Sequence, residues 1–237
     1  ILLLLEGMGA ELVFAKGEGP IIVPPVRDML RIIELATPDP RETLPFVYET
    51  IALVQTALDG RVPLIGFAGA PFTLAAYLVE GGSSRTFSQI KRLLYEAPMS
   101  YATLMDKLAS MVAAHLNAQI AAGVQAIQLF DTWAGSLSVA DYTTYVFPYT
   151  KRVIDALPRG TVPVIYYTNE CAAILPQLAH LGADVLSVDW RLRLSQVIAE
   201  LGPDAVVQGN LDPCALFAPV ADIHTRATDI LREADAI

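Results

Sequence analysis

The residues able to do chemistry fall just past five short apolar runs. GFAGAPFTLAAYLVEGGSS (66–84) begins at the end of the run 62–67, and DTWAG (131–135) follows 124–130. TNE (168–170) follows 162–167, DW (189–190) follows 184–188, and GNLDP (209–213) closes 205–209. If the runs are parallel strands, these strings share one rim, the face on which α/β barrels build their sites. Asp131 and Asp189 are then rim carboxylates. Such groups can move protons, but at strand ends they more often hold loops in place. Gly81-Gly82-Ser83-Ser84 could present backbone N–H groups to an anion ahead of a helix, or be a plain turn. His115, His180 and His224 lie in separate elements, as do Cys171 and Cys214, with no H-x-x-x-H or H-x-C spacing. No metal site is expected from them. The pattern points to an enzyme site at this rim without naming its reaction.

The elements that must position these residues alternate β-branched runs with helical patterns. Asp39-Pro40-Arg41-Glu42 has the form of a helix start, and Leu44, Val47, Ile51, Val54 and Leu58 continue at helical spacing to Gly60. The spacing predicts a strand over 62–67, a helix from Pro71, a second after the glycines, and a long one from about Met99 to Ala122. Leu104, Leu108, Met111, His115 and Leu116 share a face of that long helix. Four more pairs follow: strand 124–130 with helix 141–157, 162–167 with 171–181, 184–188 with 194–201, and 205–209 with 221–234. Pro148 should end or kink the first of these helices. Five strand–helix units in order predict a parallel sheet with right-handed crossovers. No G-x-G-x-x-G follows any strand, which removes the main support for a dinucleotide-binding fold. The expected class is α/β, a (β/α)8 TIM-type barrel incomplete at both ends, with residues 1–237 in a single barrel domain. The chain opens at Ile1, without Met and inside an apolar run, and so reads as part of a longer protein.

Composition narrows the function classes. Hydrophobic residues make up 54% of the 237 and charged residues 17%, which excludes intrinsic disorder. A formal net charge of −9 argues against a nucleic-acid partner. Two cysteines exclude a disulfide scaffold and fit a reducing, cytoplasmic setting. The stretch 62–79, between Arg61 and Glu80, carries no charge and is long enough to raise the question of a membrane span. Pro63, Gly66, Gly69 and Pro71 break it into strand, turn and helix, so no span is expected. The apolar surplus suits a parallel sheet covered on both faces.

The strings GFAGAPFTLAAYLVEGGSS, QLFDTWAG and VQGNLDP, with GEGP (17–20) and NAQIAAGVQAIQLFDTW (117–133), resemble the uroporphyrinogen decarboxylase family, in order along essentially the whole chain. The resemblance implies a single-domain (β/α)8 barrel that works as a homodimer, uses no cofactor and serves haem and chlorophyll synthesis. Its reaction removes CO2 from the four acetate side chains of uroporphyrinogen III, giving coproporphyrinogen III. It further implies that Tyr77 lies at the active site, where a phenol can donate to a substrate carboxylate, and that Thr132 contacts another. Phe67 and Phe130 would flank the macrocycle. Without the resemblance, Tyr77 reads as a core-lining helix residue, Thr132 as a cap or strand-end Thr, and both phenylalanines as barrel core.

The resemblance also implies absences. The arginine-bearing N-terminal motif of the family is missing, its catalytic aspartate would fall immediately before Ile1, and its active-site histidine beyond Ile237. No catalytic residue is therefore expected within the chain. Two strands before it, five within it and one after it would make eight. Loss of CO2 leaves a carbanion that needs an electron sink, which many decarboxylases take from a bound cofactor. A protonated pyrrole can be its own sink, given a carboxylate to stabilise the cation and an acid to deliver the proton. A substrate with eight carboxylates sits awkwardly with the net charge unless a local basic cleft overrides it. Arg85, Lys91, Arg92, Arg191 and Arg193 are candidates for such a cleft, but most read as solvated helix or loop charges, and the absent arginine motif is the better answer. Two alternatives stay open: a zinc- and corrinoid-linked methyltransferase barrel, and a non-catalytic tetrapyrrole-binding homologue.

Overall fold

The computed structural model describes residues 1–15, 19–158, 160 and 162–235. The first part comprises α1 (Leu3–Gly7), an antiparallel hairpin of β1 (Leu12–Ala15) and β2 (Gly19–Ile22), then α2 (Met29–Glu34), α3 (Pro40–Thr43) and α4 (Pro45–Leu58). β3 (Ile65–Gly69) is followed by α5 (Pro71–Glu80), α6 (Ser88–Glu96) and α7 (Pro98–Ala121). β4 (Ala126–Phe130) leads to α8 (Val139–Asp141) and α9 (Phe147–Asp155). The last three units are β5 (Val164–Tyr167) with α10 (Leu175–Leu178), β6 (Val185–Ser187) with α11 (Leu194–Leu201), and β7 (Val207–Gln208) with α12 (Val220–Asp235). Among the described residues, β3 to β7 make one parallel sheet in which each strand pairs with its successor in the chain. This is a sector of a (β/α) barrel, and the sheet does not close.

All five expected strands are present, but the first is displaced to Ile65–Gly69. Pro63 has no N–H to give a ladder, and pairing starts where the Leu64 carbonyl accepts the Gln125 N–H at 2.8 Å. The β1–β2 hairpin lies outside the sequence expectation, and Gly17 and Glu18 of the GEGP string lie outside the described residues. The helix expected to run from Pro40 breaks at Leu44, whose φ of −130° and ψ of 44° lie outside the helical region that a following proline disfavours. Asp39 caps its start as expected, accepting from the Arg41 N–H at 2.9 Å. Before α9 the chain widens into a π turn, Tyr142–Val146. Pro148 cannot donate to the Thr144 carbonyl, and the wider turn absorbs the ring that a regular helix would exclude.

Strand alternation sorts the two faces of the sheet. Ile127, Leu129, Val164 and Tyr166 share the face turned to the helices and are buried. The shared face of α7 is buried as expected, His115 included. His115 Nδ1 lies 2.8 Å from the Tyr48 hydroxyl, and burial holds its pKa down to about 4, so it stays neutral. The window 62–79 resolves into strand and helix, and no described helix is long and apolar enough to cross a membrane. On the opposite, concave face, Phe67 is 48% exposed and Gln128, Phe130 and Tyr167 are half-buried.

The outer edge of β3 is sealed by a side chain. Leu64 and Ala70 direct their backbone bonds to β4, so Phe67 faces away from it. Gln119 of α7 takes both free groups: its Oε1 accepts the Phe67 N–H at 2.9 Å and its Nε2 donates to the Phe67 carbonyl at 2.9 Å. The carboxamide thus acts as one residue of a neighbouring strand. It reaches that place because position 66 has no side chain. A Cβ on Gly66 would stand 2.7 Å from Gln119 Oε1 and 3.0 Å from Ile127 Cδ1. Gly66→Ala should therefore lower stability by about 1–3 kcal/mol in denaturant unfolding, as overpacking does. Adding Gln119→Ala should return part of the loss, and strictly additive losses would contradict the contact.

Candidate active site

The most constrained polar group at the C-terminal ends of the strands is Asp131, one residue past β4 and fully buried. Its Oδ1 accepts from the Thr73 hydroxyl of α5 at 2.9 Å, and its Oδ2 from the Tyr166 hydroxyl of β5 at 2.9 Å. The Tyr166 oxygen lies 3.4 Å from the Tyr142 hydroxyl, which the π turn brings in. The Trp133 N–H reaches Thr73 Oγ1 at 3.4 Å. Burial pushes the Asp131 carboxyl up to about 6, opposed by the bonds from Tyr166 and Thr73. Thr150 of α9 adds to that opposition, although its Oγ1 stands outside hydrogen-bond geometry.

The residues singled out in the sequence lie around this carboxylate. Tyr77 stands one helical turn after Thr73 on the same face of α5. It is half-buried and packs on Trp133 at 4.1 Å between ring centroids, and Phe87 approaches Trp133 at 5.1 Å. Burial raises the Tyr77 phenol above its ordinary pKa, so it is a donor at neutral pH. Thr132 lines a cavity of about 100 Å³ with Phe87, Trp133, Ser136, Asn169 and Glu170. Neither the Tyr77 nor the Thr132 hydroxyl bonds to another described residue, so Thr132 is not a cap. Phe67 and Phe130 meet edge to face at 6.1 Å on the concave side. Tyr167 continues the row, 5.7 Å from Phe130. Sequence reasoning missed Tyr167 and Trp133; the strand alternation that places Phe130 on the concave face marks Tyr167 as well.

Asp189 is buried and works as an anchor, accepting from the Arg191 guanidinium at 2.7 Å, from the Arg191 N–H at 2.9 Å and from the Glu170 N–H. Arg191 also pairs with Glu170 at 3.4 Å and lies over the Trp190 ring at 4.4 Å. Of the other cations, Lys91 donates to the Ser136 carbonyl at 2.9 Å, Arg92 pairs with Glu96 and Arg193 with Glu233, while Arg85 is exposed. These groups do not assemble a basic cleft. The glycine–serine segment 81–84 is a turn: Glu80 Oε1 already accepts the Gln89 and Ile90 N–H groups at the start of α6, at 2.9 and 3.1 Å. An anion there would compete with that carboxylate. Among the described residues, no three His, Cys, Asp or Glu side chains cluster to hold a metal ion. An apolar groove of about 300 Å³ between α4 and β3 touches Phe67 but brings no charged group to it.

Asp131 makes a measurable mark on stability. Its folded pKa lies above the unfolded value, so its contribution is complete below 3.8 and lost as pH rises through about 6. Asp131→Asn removes that titration. Between about pH 3 and pH 7 the variant should gain on the parent by about 3 kcal/mol in denaturant unfolding. A difference that stays constant with pH would contradict the raised pKa.

The family model described as uroporphyrinogen decarboxylase (URO-D) matches residues 1–236. The uroporphyrinogen decarboxylase of Carboxydothermus hydrogenoformans is 47% identical over 234 residues, covering 99% of this chain and 67% of the relative. That of Pelobacter propionicus is 48% identical over 233 residues, covering 98% and 68%. The chain therefore spans about two thirds of the length of these relatives. Among solved structures, a methyltransferase from Methanosarcina mazei superposes with a TM-score of 0.82 at 21% identity, over 98% of this chain and 69% of its own, and shares the fold. With a match from Ile1 onward and nearly half of all positions identical to named members, the chain belongs to the uroporphyrinogen decarboxylase family.

Proposed function

We propose that this chain provides the scaffold and part of the pocket of a uroporphyrinogen decarboxylase, which converts uroporphyrinogen III to coproporphyrinogen III by removing CO2 from its four acetate side chains. Beyond family membership, one observation carries the reading: Phe67, Phe130 and Tyr167 form an aromatic row on the concave face, and Tyr77 and Thr132, past the C-terminal ends of β3 and β4, carry hydroxyls without a described partner. Phe67, Phe130 and Tyr167 offer edges and faces to a large flat macrocycle. The Tyr77 phenol stays protonated and donates to one substrate carboxylate, and Thr132 donates to another. Fixing the acetate in this way supplies orientation, a large part of any catalysed barrier.

The chemistry needs no cofactor in this reading, because the substrate holds its own sink. A pyrrole ring protonated on carbon accepts the electron pair as the C–C bond to the carboxylate breaks and CO2 leaves. A second proton then makes the exocyclic carbon a methyl group, and loss of the first proton from the ring carbon restores the pyrrole. The carboxylate that stabilises the cationic ring is assigned, on the resemblance, to the position before Ile1. The side chains of this chain bind and orient. On the same grounds the enzyme is read as a cytoplasmic homodimer with a single barrel domain.

Full-length protein given reduced uroporphyrinogen anaerobically, without added cofactor, should release a product with four fewer carboxylates. A strict requirement for zinc and a thiol would overturn the assignment. Tyr77→Phe should keep its circular dichroism spectrum yet lose about 10- to 100-fold in kcat/KM, the equivalent of one hydrogen bond to a charged group. Unchanged turnover would return Tyr77 to the core.

A further inference from the structure

We propose that Asp131 is a positioning residue of this site: its carboxylate, held between Thr73 and Tyr166, sets the spacing of the side chains that meet the substrate. The inference rests on the decarboxylase reading and deepens it. Each bond of Asp131 ends beside a residue placed in the pocket. Thr73 lies one turn before Tyr77, Tyr166 immediately precedes Tyr167, and Asp131 itself joins Phe130 to Thr132. Three elements, α5, β4 and β5, are thus tied at one point, next in sequence to Phe130, Thr132 and Tyr167 and one helical turn from Tyr77.

The arrangement asks for a carboxylate and not merely for a filler. Tyr166 donates to Oδ2 and has Tyr142 behind it; Thr73 donates to Oδ1 and has the Trp133 N–H behind it. An ionised carboxyl is an acceptor only and takes both hydroxyls as donors. A proton on either oxygen adds a donor, so that one of the two hydroxyls must turn to accept it or share its acceptor. Burying a charge without a cation is costly, and a packed apolar side chain would serve the fold better, so the charge is retained for geometry. The groups that face Asp131 are phenols and hydroxyls: Tyr166 from β5, Tyr142 from the π turn, Tyr101 from α7, Thr73 from α5 and Thr150 from α9.

The test is the pH profile of kcat for full-length protein and three variants, each checked for fold by circular dichroism. Wild type should lose activity as pH falls through about 6, where the carboxyl gains its proton. Tyr166→Phe and Thr73→Val each remove a bond that favours the ionised form, so each should move this acid limb to higher pH. Asp131→Asn should abolish the limb and lower kcat by about 100-fold, the scale of a displacement near 1 Å. A merely structural Asp131 would leave the limb in place in the Tyr166 and Thr73 variants, and that result would overturn the inference even if Asp131→Asn failed to fold. So would an Asn variant with parental kcat. A wild type without decarboxylase activity would overturn the functional reading, and this inference with it.

Discussion

A carboxylate taken fully out of water must be met by donors, and at Asp131 that requirement orders the surrounding structure. The donors come from a helix and a strand far apart in sequence, so satisfying one side chain fixes how α5, β4 and β5 pack at their ends. The π turn before α9 joins the same network, because the widening that Pro148 demands brings Tyr142 to Tyr166. A local backbone irregularity and a buried charge therefore have one explanation between them. The apolar side chains supply most of the free energy of folding, but they specify spacing less sharply than directional bonds do.

The concave face is held from its other end by a neutral device. Gln119 pairs with the backbone of Phe67 as a strand would, and the missing side chain at Gly66 makes room for it. The aromatic row is thus pinned near Phe67 by a carboxamide and near Tyr167 by the Asp131 network. In the proposed reading, this apolar surface and the two polar donors together suit a flat, multiply charged ligand.

How much of this was legible in the sequence depended on range. The five strands showed as β-branched runs, and the long helix showed through its repeating face, because both signals are local. The boundary at Ile65 and the break at Leu44 came from prolines whose effect was visible but whose register was not. Tyr77, Thr132, Phe67 and Phe130 were readable only through resemblance; by pattern alone each was an ordinary core or cap residue. The Asp131 network was hidden, since its partners lie 58 and 35 residues away and no periodicity reports such pairs. The reading of Lys91, Arg92 and Arg193 as ordinary charges and not a cleft agrees with the fold, but the acceptors they take there were hidden for the same reason.

An enzyme acting on an anion of high charge must still bind it on an acidic scaffold, and in the proposed reading the neutral donors Tyr77 and Thr132 contribute to that binding. The most direct test is a crystal structure of full-length protein with coproporphyrinogen bound. The macrocycle should rest against Phe67, Phe130 and Tyr167, with carboxylates within about 3 Å of the Tyr77 and Thr132 hydroxyls. A product seated elsewhere, with both hydroxyls left to solvent, would contradict the account.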